Sequence, residues 1–175
     1  MTDLLDWPPT CLHHLTNESL KELMAFKVRV EGFAEGAVIP RRLTCDGADV
    51  SPPLNWEGEP EATKSFALIA DDPDAPGCTW NHWLLWDIPA SVHSLPEGTG
   101  EGSVGKSGTN DFGKSGYGGP CPPRPKGPHR YFFRLFALDI ESLGLPSRTK
   151  RHALEKALRK HAIAEIAYMG RYERT

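Results

Sequence analysis

The strongest pattern along this chain is the alternation of apolar and polar residues, which predicts β-strands. Phe26, Val28 and Val30 alternate with charged residues, as in a strand that has one face in water. Residues 65–70 are almost all apolar, so we expect neighbouring elements to cover both faces of that strand. The unbroken, aromatic-rich stretch 127–138 gives the clearest strand prediction in the chain.

The alternation also predicts which side chains share a face of a strand. In the 127–138 strand, His129 and Tyr131 begin a face that continues with Phe133, Leu135 and Ala137. In the strand that begins near His82, the histidine is expected to share its face with Leu84, Trp86 and Ile88. The opposite face of that strand is expected to carry Trp83, Leu85 and Asp87.

The end of the chain predicts a helix followed by a last strand. Residues 147–161 have helical spacing, with Thr149 or Ser147 as the cap. The apolar stripe of this helix is formed by Leu154, Ala157, Leu158 and His161. Residues 162–172 alternate enough to form a strand. Many strands with one late helix and no βαβ rhythm favour an antiparallel, mainly-β domain.

The length of 175 residues predicts one domain, at residues 26–175, able to bury about 70% of the surface of the unfolded chain. Residues 1–25 are expected to form an appendage with a short helix that starts at Thr16 or Asn17. Residues 97–127 form a long loop rich in glycine and proline, and loops of this length are usually functional or disordered.

One motif in this loop is misleading. Residues 100–107 fit the phosphate-loop pattern G-x-x-x-x-G-K-[ST], which is typical of nucleotide-binding proteins. That loop binds phosphate only where it opens a helix, whose N–H groups complete the site. The residues that follow, Gly108 to Pro120, are too rich in glycine to start one. We interpret the match as a coincidence.

The composition excludes some partners. The chain has 20 Lys and Arg against 23 Asp and Glu, a net charge of −3, which argues against nucleic acid. The sequence contains no signal-peptide pattern and no apolar run of membrane-spanning length, so we predict a cytoplasmic protein without a membrane segment. Its four cysteines lie far apart without a Cys-x-x-Cys pair, so we expect reduced thiols, not a zinc site or a disulfide framework.

The stretch 71–88 places carboxylates, a histidine and tryptophans between two apolar runs, which predicts a loop with chemistry between two strands. Pro73 and Pro76 restrict the residues that precede them, Asp72 and Ala75, so the acidic side chains have few directions open to them, and a rigid acidic loop suits binding. The same composition is also typical of a simple turn.

Two histidines and a tyrosine at strand ends, together with these aspartates, can form one pocket. His82, His129 and Tyr131 supply donors that suit a small anion such as phosphate or carboxylate. Asp72 and Asp74 can accept from an amine or hydroxyl of the same ligand, or fix a histidine tautomer. The alternative for His82 is a hydrogen-bonded core residue between tryptophans.

Several motifs together carry a resemblance to a known family. Three of them resemble the signature of the phosphatidylethanolamine-binding protein family, also called Raf kinase inhibitor-like proteins: Asp72-Pro-Asp-Ala-Pro76, Asn81-His-Trp83 and Gly127-Pro-His-Arg-Tyr-Phe132. Two more, at residues 45–56 and 110–123, are similar to the bacterial and archaeal branch of that family. The similarity covers residues 26–174.

This resemblance implies a large antiparallel sheet with a smaller sheet packed on it, Greek-key connections and one C-terminal helix. It implies a shallow anion-binding pocket lined by five residues: Asp72, Asp74, His82, His129 and Tyr131. Gly119 and Pro120 are expected at the edge of the pocket. Family members bind phosphorylated groups and other proteins, so a kinase or protease is an expected partner. The resemblance also favours a homodimer.

Three functions fit these observations. The first is non-catalytic binding of a phosphorylated or anionic ligand, such as a phosphoethanolamine-like group or a phosphopeptide, with a regulatory role like that of a kinase inhibitor. It needs no cofactor and no metal, and the sequence has no Gly-x-Ser-x-Gly elbow and no histidine pair at metal-binding spacing. The second is a hydrolase that uses an Asp and His pair, with or without a metal. The third is a homodimeric scaffold whose pocket is vestigial.

Overall fold

The computed structural model describes residues 25–174, which form two sheets and a helix. The smaller sheet consists of β1 (Lys27–Val30), β2 (Leu54–Glu57) and β5 (Ser94–Leu95). The larger sheet consists, in spatial order, of β6 (Lys106–Ser107), β4 (Trp80–Pro89), β3 (Ser65–Asp72), β7 (His129–Leu138) and β8 (Ala162–Tyr172). A 3₁₀ turn covers Arg41–Leu43, and α1 covers Arg151–His161. The appendage predicted at residues 1–25, with its helix, lies outside the described residues except for Ala25.

The strand order of the larger sheet is a Greek key. β3, β4 and β6 lie side by side, and β7 returns to pair with β3 on its other edge. Each of these pairings is antiparallel, as is that of β7 with β8. The prediction of a mainly-β antiparallel fold with Greek-key connections is confirmed. This order brings the end of β3, the start of β4 and the start of β7 together at the same end of the sheet.

Strand β3 is buried along its whole length because both of its faces are covered, as predicted. Phe66, Leu68 and Ala70 pack between the two sheets. Ala67 and Ile69 face the opposite side, where they pack with α1. The molecule therefore has three layers, and the larger sheet is the middle one.

The helix begins later than the sequence predicted. It starts at Arg151 instead of 147, and Lys150 occupies the cap position without a side-chain hydrogen bond. The Thr149 hydroxyl donates instead to the carbonyl of Pro146, so neither predicted residue caps the helix. Leu154 and Leu158 are buried, as the apolar stripe predicted.

Strand β4 departs from the predicted alternation because it contains two irregularities. The register with β3 shifts between the pairs Ala70–Trp83 and Asp71–Asn81, so β4 has one extra residue at His82. His82 therefore packs against Tyr131, on the opposite side of the sheet from Leu84. A second shift lies near Asp87, whose φ is +55°, and it carries Ile88 into the core between the sheets. The predicted face is therefore wrong for His82 and Ile88, whereas Leu84 and Trp86 share a face as expected.

The expectation of reduced thiols is also wrong for two of the cysteines. Cys45 and Cys121 form a disulfide, with their Cα atoms 5.5 Å apart and 76 residues apart in the chain. Sequence spacing gave no signal for this pair because the fold brings the two loops together. Cys78 is a free, exposed cysteine. The phosphate-loop letters at 100–107 end in strand β6 and not in a helix, as expected.

Candidate functional site

A cavity of about 310 Å³ opens at the strand ends of the larger sheet, where β3 ends and β4 and β7 begin. Three of the predicted site residues line it: Asp72, His82 and His129. The rest of the lining is Ala75, Pro76, Trp80, Phe112, Cys121, Pro122 and Pro123. The two imidazoles, which come from segments 47 residues apart, thus face one shared cavity.

His129 is held by the carboxylate of Asp72. Its Nδ1 donates to Asp72 Oδ2 over 2.7 Å, and both side chains are almost fully buried. The other oxygen of Asp72 accepts the backbone N–H of Asp74 over 2.8 Å. The carboxylate therefore fixes the tautomer and direction of the ring, and Nε2 has no partner among the described residues.

His82 is fixed in the same way by a backbone carbonyl. Its Nδ1 lies 2.6 Å from the carbonyl oxygen of Gly118, and because a carbonyl only accepts, Nδ1 carries the proton. Burial lowers the pKa of His82 below its ordinary value of 6.5, against a smaller opposing effect of this hydrogen bond. The neutral ring therefore presents a lone pair at Nε2, and a proton must be taken up before Nε2 can donate.

Asp74 does not line the cavity. Its carboxylate binds Arg130, with Nε at 2.9 Å and Nη2 at 2.8 Å, and also accepts the backbone N–H of Arg130. The hydrogen bond from the Arg130 side chain is the main reason that the pKa of Asp74 falls to about 2. Asp74 therefore anchors the 73–77 loop to the start of β7.

Tyr131 packs against His82 and does not line the cavity. Its ring meets that of His82 edge to face at 5.2 Å between centroids, and its side chain is buried. Burial, with the nearby Asp72 carboxylate, raises the pKa of the tyrosine hydroxyl, which stays protonated as a donor. That hydroxyl has no hydrogen-bond partner among the described residues.

Gly119 and Pro120 form the backbone behind the cavity wall. The N–H of Gly119 donates to Asp49 Oδ1 over 2.6 Å, and the carbonyl of Pro120 accepts from the N–H of Cys45. A Cβ at position 119 would lie 2.5 Å from the carbonyl oxygen of Leu43, so only glycine fits there. These residues place Cys121 and the two prolines that follow it.

Known proteins share the sequence pattern and the fold of this chain. The profile described as "Phosphatidylethanolamine-binding protein" matches residues 29–173. The chain belongs to this family. A UPF0098 protein of Aquifex aeolicus is 50% identical over 145 residues, covering 81% of this chain and 85% of the relative. The UPF0098 protein PH1269 of Pyrococcus horikoshii is 44% identical over 160 residues, covering 88% of this chain and 79% of the relative.

Solved structures of the family have the same fold. The Escherichia coli protein YbcL superposes with a TM-score of 0.81 at 35% identity, over 86% of this chain and 99% of YbcL. The Chlamydia trachomatis homologue CT736 superposes with a TM-score of 0.78 at 34% identity, over the same shares of each chain. The prediction of a phosphatidylethanolamine-binding protein fold is confirmed.

Some residues of the cavity in this family member were missed by the sequence reasoning. Phe112, Pro122 and Pro123 lie inside the 110–123 motif, which was noted only as a mark of the bacterial and archaeal branch. Trp80 comes one residue before the Asn81-His-Trp83 motif. These side chains make most of the lining apolar.

The described residues contain no group of three His, Cys, Asp or Glu side chains that could hold a metal ion. They also contain no helix long and apolar enough to cross a membrane. In the described part of this family member, the hydrogen bonds of Asp72 go to protein N–H groups. Asp72 thus serves as a hydrogen-bond acceptor that positions His129 and the 73–77 loop.

Asp71 has a different role from its neighbour Asp72 because successive strand residues point to opposite faces. Its carboxylate is fully buried on the helix side, where Oδ2 accepts from Arg151 Nη2 over 2.8 Å. Arg134 Nε lies 3.5 Å from the same oxygen. Asp71 therefore links the larger sheet to α1.

Replacing Asp71 by alanine is expected to lower the free energy of unfolding by about 2 kcal/mol, since it leaves two guanidinium groups without their buried partner. Urea unfolding measures this change. Glu155→Ala is the matched control because Glu155 is the more exposed partner of Arg151, at 34%. We expect about 0.5 kcal/mol or less for the control. Equal losses in the two variants would contradict the assignment.

Proposed function

We propose that this protein binds a small phosphorylated or anionic ligand in the His82–His129 cavity without transforming it. The observation that carries the proposal is that both imidazoles use Nδ1 for a protein partner and line one cavity. Each ring is thereby left with Nε2 as its ligand-facing nitrogen. Two such nitrogens, once protonated, can donate to two oxygens of one anionic group.

The imidazoles can contact a ligand in both their neutral and their protonated states. A neutral imidazole accepts at Nε2 from a hydroxyl, including that of a singly protonated phosphate. A protonated ring donates to an anionic oxygen, and in the case of His129 the resulting charge lies beside Asp72. The site is therefore suited to a phosphomonoester such as phosphoethanolamine or a phosphorylated side chain. The apolar walls of Trp80 and Phe112 can cover the organic part of the ligand.

Titration of the full chain with phosphoethanolamine tests this proposal. We expect the imidazole resonances of His82 and His129 to shift together, with one dissociation constant. His129→Ala is expected to weaken binding by about tenfold, the equivalent of one charge-assisted hydrogen bond of about 1.4 kcal/mol.

The matched control is His152→Ala, because His152 lies exposed on α1, away from the cavity. This variant is expected to bind like the parent protein. Absence of any shift at millimolar phosphoethanolamine and inorganic phosphate would rule out the proposed function. Shifts confined to exposed histidines such as His152 would also rule it out.

A hydrolase is the alternative, and the observation that favours it is the Asp72–His129 pair, since a carboxylate that orients a histidine serves acid–base chemistry. Among the described residues that line the cavity none is a serine, a threonine or a reduced cysteine, because Cys121 is in a disulfide. Turnover of phosphatase or esterase substrates that disappears in His129→Ala would favour this alternative.

Three expectations stay predictions: a protein partner such as a kinase or protease, a homodimer or dimeric scaffold, and a cytoplasmic location. Light scattering of the full chain tests the second. The Cys45–Cys121 disulfide bears on the third, because it suits an oxidising compartment or the cytoplasm of a hyperthermophile and not a reducing cytoplasm.

A further inference from the structure

The exposed segment that follows the cavity-lining Pro122 and Pro123 is basic, although the chain as a whole has a net charge of −3. Residues 122–130 contain Arg124, Lys126 and Arg130 and no acidic residue. Residues 123–128 are all exposed. Arg130 is paired with Asp74 at 2.8 Å, whereas Arg124 has only a long contact with Asp46, at 3.9 Å, and Lys126 has no ion pair among the described residues.

Two further arginines, Arg41 and Arg174, contact the same residue as Arg124, namely Asp46. Arg174 binds Asp46 through Nε at 3.1 Å and Nη2 at 3.0 Å, while Arg124 Nη2 lies 3.9 Å from the same side chain. Arg41 donates through Nε to the backbone carbonyl of Asp46 over 2.8 Å. Two guanidinium groups thus face the Asp46 carboxylate and a third binds its backbone carbonyl, so the cluster has an excess of positive charge.

This cluster lies beside the mouth of the cavity. Asp46 follows Cys45, which is bonded to Cys121 in the cavity wall, and Arg124 follows Pro123, which lines the cavity and is exposed. The side chain of Arg124 is 56% exposed, so most of its donors face water. We call Arg41, Arg124, Lys126 and Arg174 the basic rim.

The side chains of the basic rim suit a ligand that carries several individual carboxylate groups. Guanidinium groups bind carboxylates with two parallel hydrogen bonds, and the contact of Arg174 with Asp46 already has two donors on one carboxylate. Binding to an anionic membrane typically uses a larger group of lysines and arginines together with exposed apolar side chains. Of the large apolar residues exposed in the described part of the chain, Phe112 alone lines the cavity.

We propose that the basic rim binds an acidic segment of a polypeptide whose phosphorylated side chain occupies the His82–His129 cavity. The inference rests on the proposed function and adds the class of ligand: a phosphorylated residue flanked by aspartates and glutamates. The cavity holds the phosphoryl group, and the rim holds the flanking carboxylates.

Fluorescence anisotropy with two phosphoserine peptides tests the inference on the full chain. One peptide is flanked by Asp and Glu, and the other by Asn and Gln. We expect the acidic peptide to bind about tenfold more tightly at low salt, with an advantage that shrinks as salt screens the charges. The double variant Arg124→Gln, Lys126→Gln should reduce the advantage to about twofold.

The matched control is Lys156→Gln, Lys160→Gln, which removes two exposed cations from α1 on the other side of the larger sheet. This control should keep the tenfold preference for the acidic peptide. Both double variants should bind phosphoethanolamine with the affinity of the parent protein.

Equal affinity for the two peptides would overturn the inference while leaving the proposed function in place. Binding of anionic lipid vesicles through Arg124 and Lys126, together with equal affinity for the acidic and the neutral peptide, would also overturn the inference. Failure of phosphoethanolamine and both peptides to bind would instead reject the proposed function.

Discussion

Sulfate is expected to bind this protein more tightly as the pH falls, by up to about tenfold per pH unit for each histidine that takes up a proton. Gly118 accepts the Nδ1 proton of His82, so the ring must be protonated before Nε2 can donate to an anion. Because burial holds the pKa of His82 below 6.5 in the unliganded protein, that proton is taken up on binding. Sulfate stays doubly charged throughout, so the change reports on the protein.

Calorimetry in buffers of different ionisation enthalpy measures both the affinity and the protons taken up. His82→Gln should have a weaker pH dependence than the parent protein because it keeps polarity but cannot be protonated. Without sulfate, the free energy of unfolding is expected to decrease as the pH falls below about 6.5. The reason is that His82 binds a proton more readily in the unfolded chain than in the folded protein. An affinity for sulfate that is constant or rises with pH would contradict this account of the site.

Removal of the Cys45–Cys121 disulfide is expected to lower the free energy of unfolding by about 2–4 kcal/mol and to weaken ligand binding. The bond closes a loop over a sequence separation of 76 residues. Within residues 25–174, no backbone hydrogen bond outside the strands involves residues 121–128, so the disulfide is the main covalent tether of the wall that contains Pro122 and Pro123. Without it, this wall has to be ordered when the ligand binds, at a cost in affinity.

The variant Cys45→Ser, Cys121→Ser tests this expectation through urea unfolding and phosphoethanolamine binding. Cys78→Ser is the matched control because Cys78 is free and exposed, and it should change neither quantity. A dithiol reductant should reproduce the effect of the double variant in the parent protein. Unchanged ligand affinity after loss of the bond would show that the wall is held by other contacts.

The sequence predicted which side chains share a face best where local alternation is regular. Strand β7 keeps period two over its whole length, so His129 and Tyr131 share a face with Phe133, Leu135 and Ala137, as expected. The predicted site residues divide into two groups. Asp72, His82 and His129 line the cavity, while Asp74, Tyr131, Gly119 and Pro120 hold them in place. Residue type did not separate these groups, since Asp72 and Asp74 look alike in the motif.

The extra residue of β4 shows why the face of His82 escaped prediction. A bulge is defined by which residues of the partner strand lie opposite, and here Ala70 pairs with Trp83 whereas Asp71 pairs with Asn81. Alternation within β4 alone carries no sign of this shift. The bulge turns His82 away from Leu84 and toward Tyr131, and it is the reason that both imidazoles reach one cavity.

The sequence by itself determined the long strands of the larger sheet, the late helix and the family, and it predicted an anion site, because these depend on neighbouring residues or on short motifs. Only the tertiary structure decided that Cys45 bonds to Cys121, that Asp71 faces α1 while Asp72 holds His129, and that Gly118 takes the Nδ1 proton of His82. Each of these contacts joins residues that are far apart in the chain. Their geometry follows from how the strands pair and how the loops pack, and no local pattern encodes it.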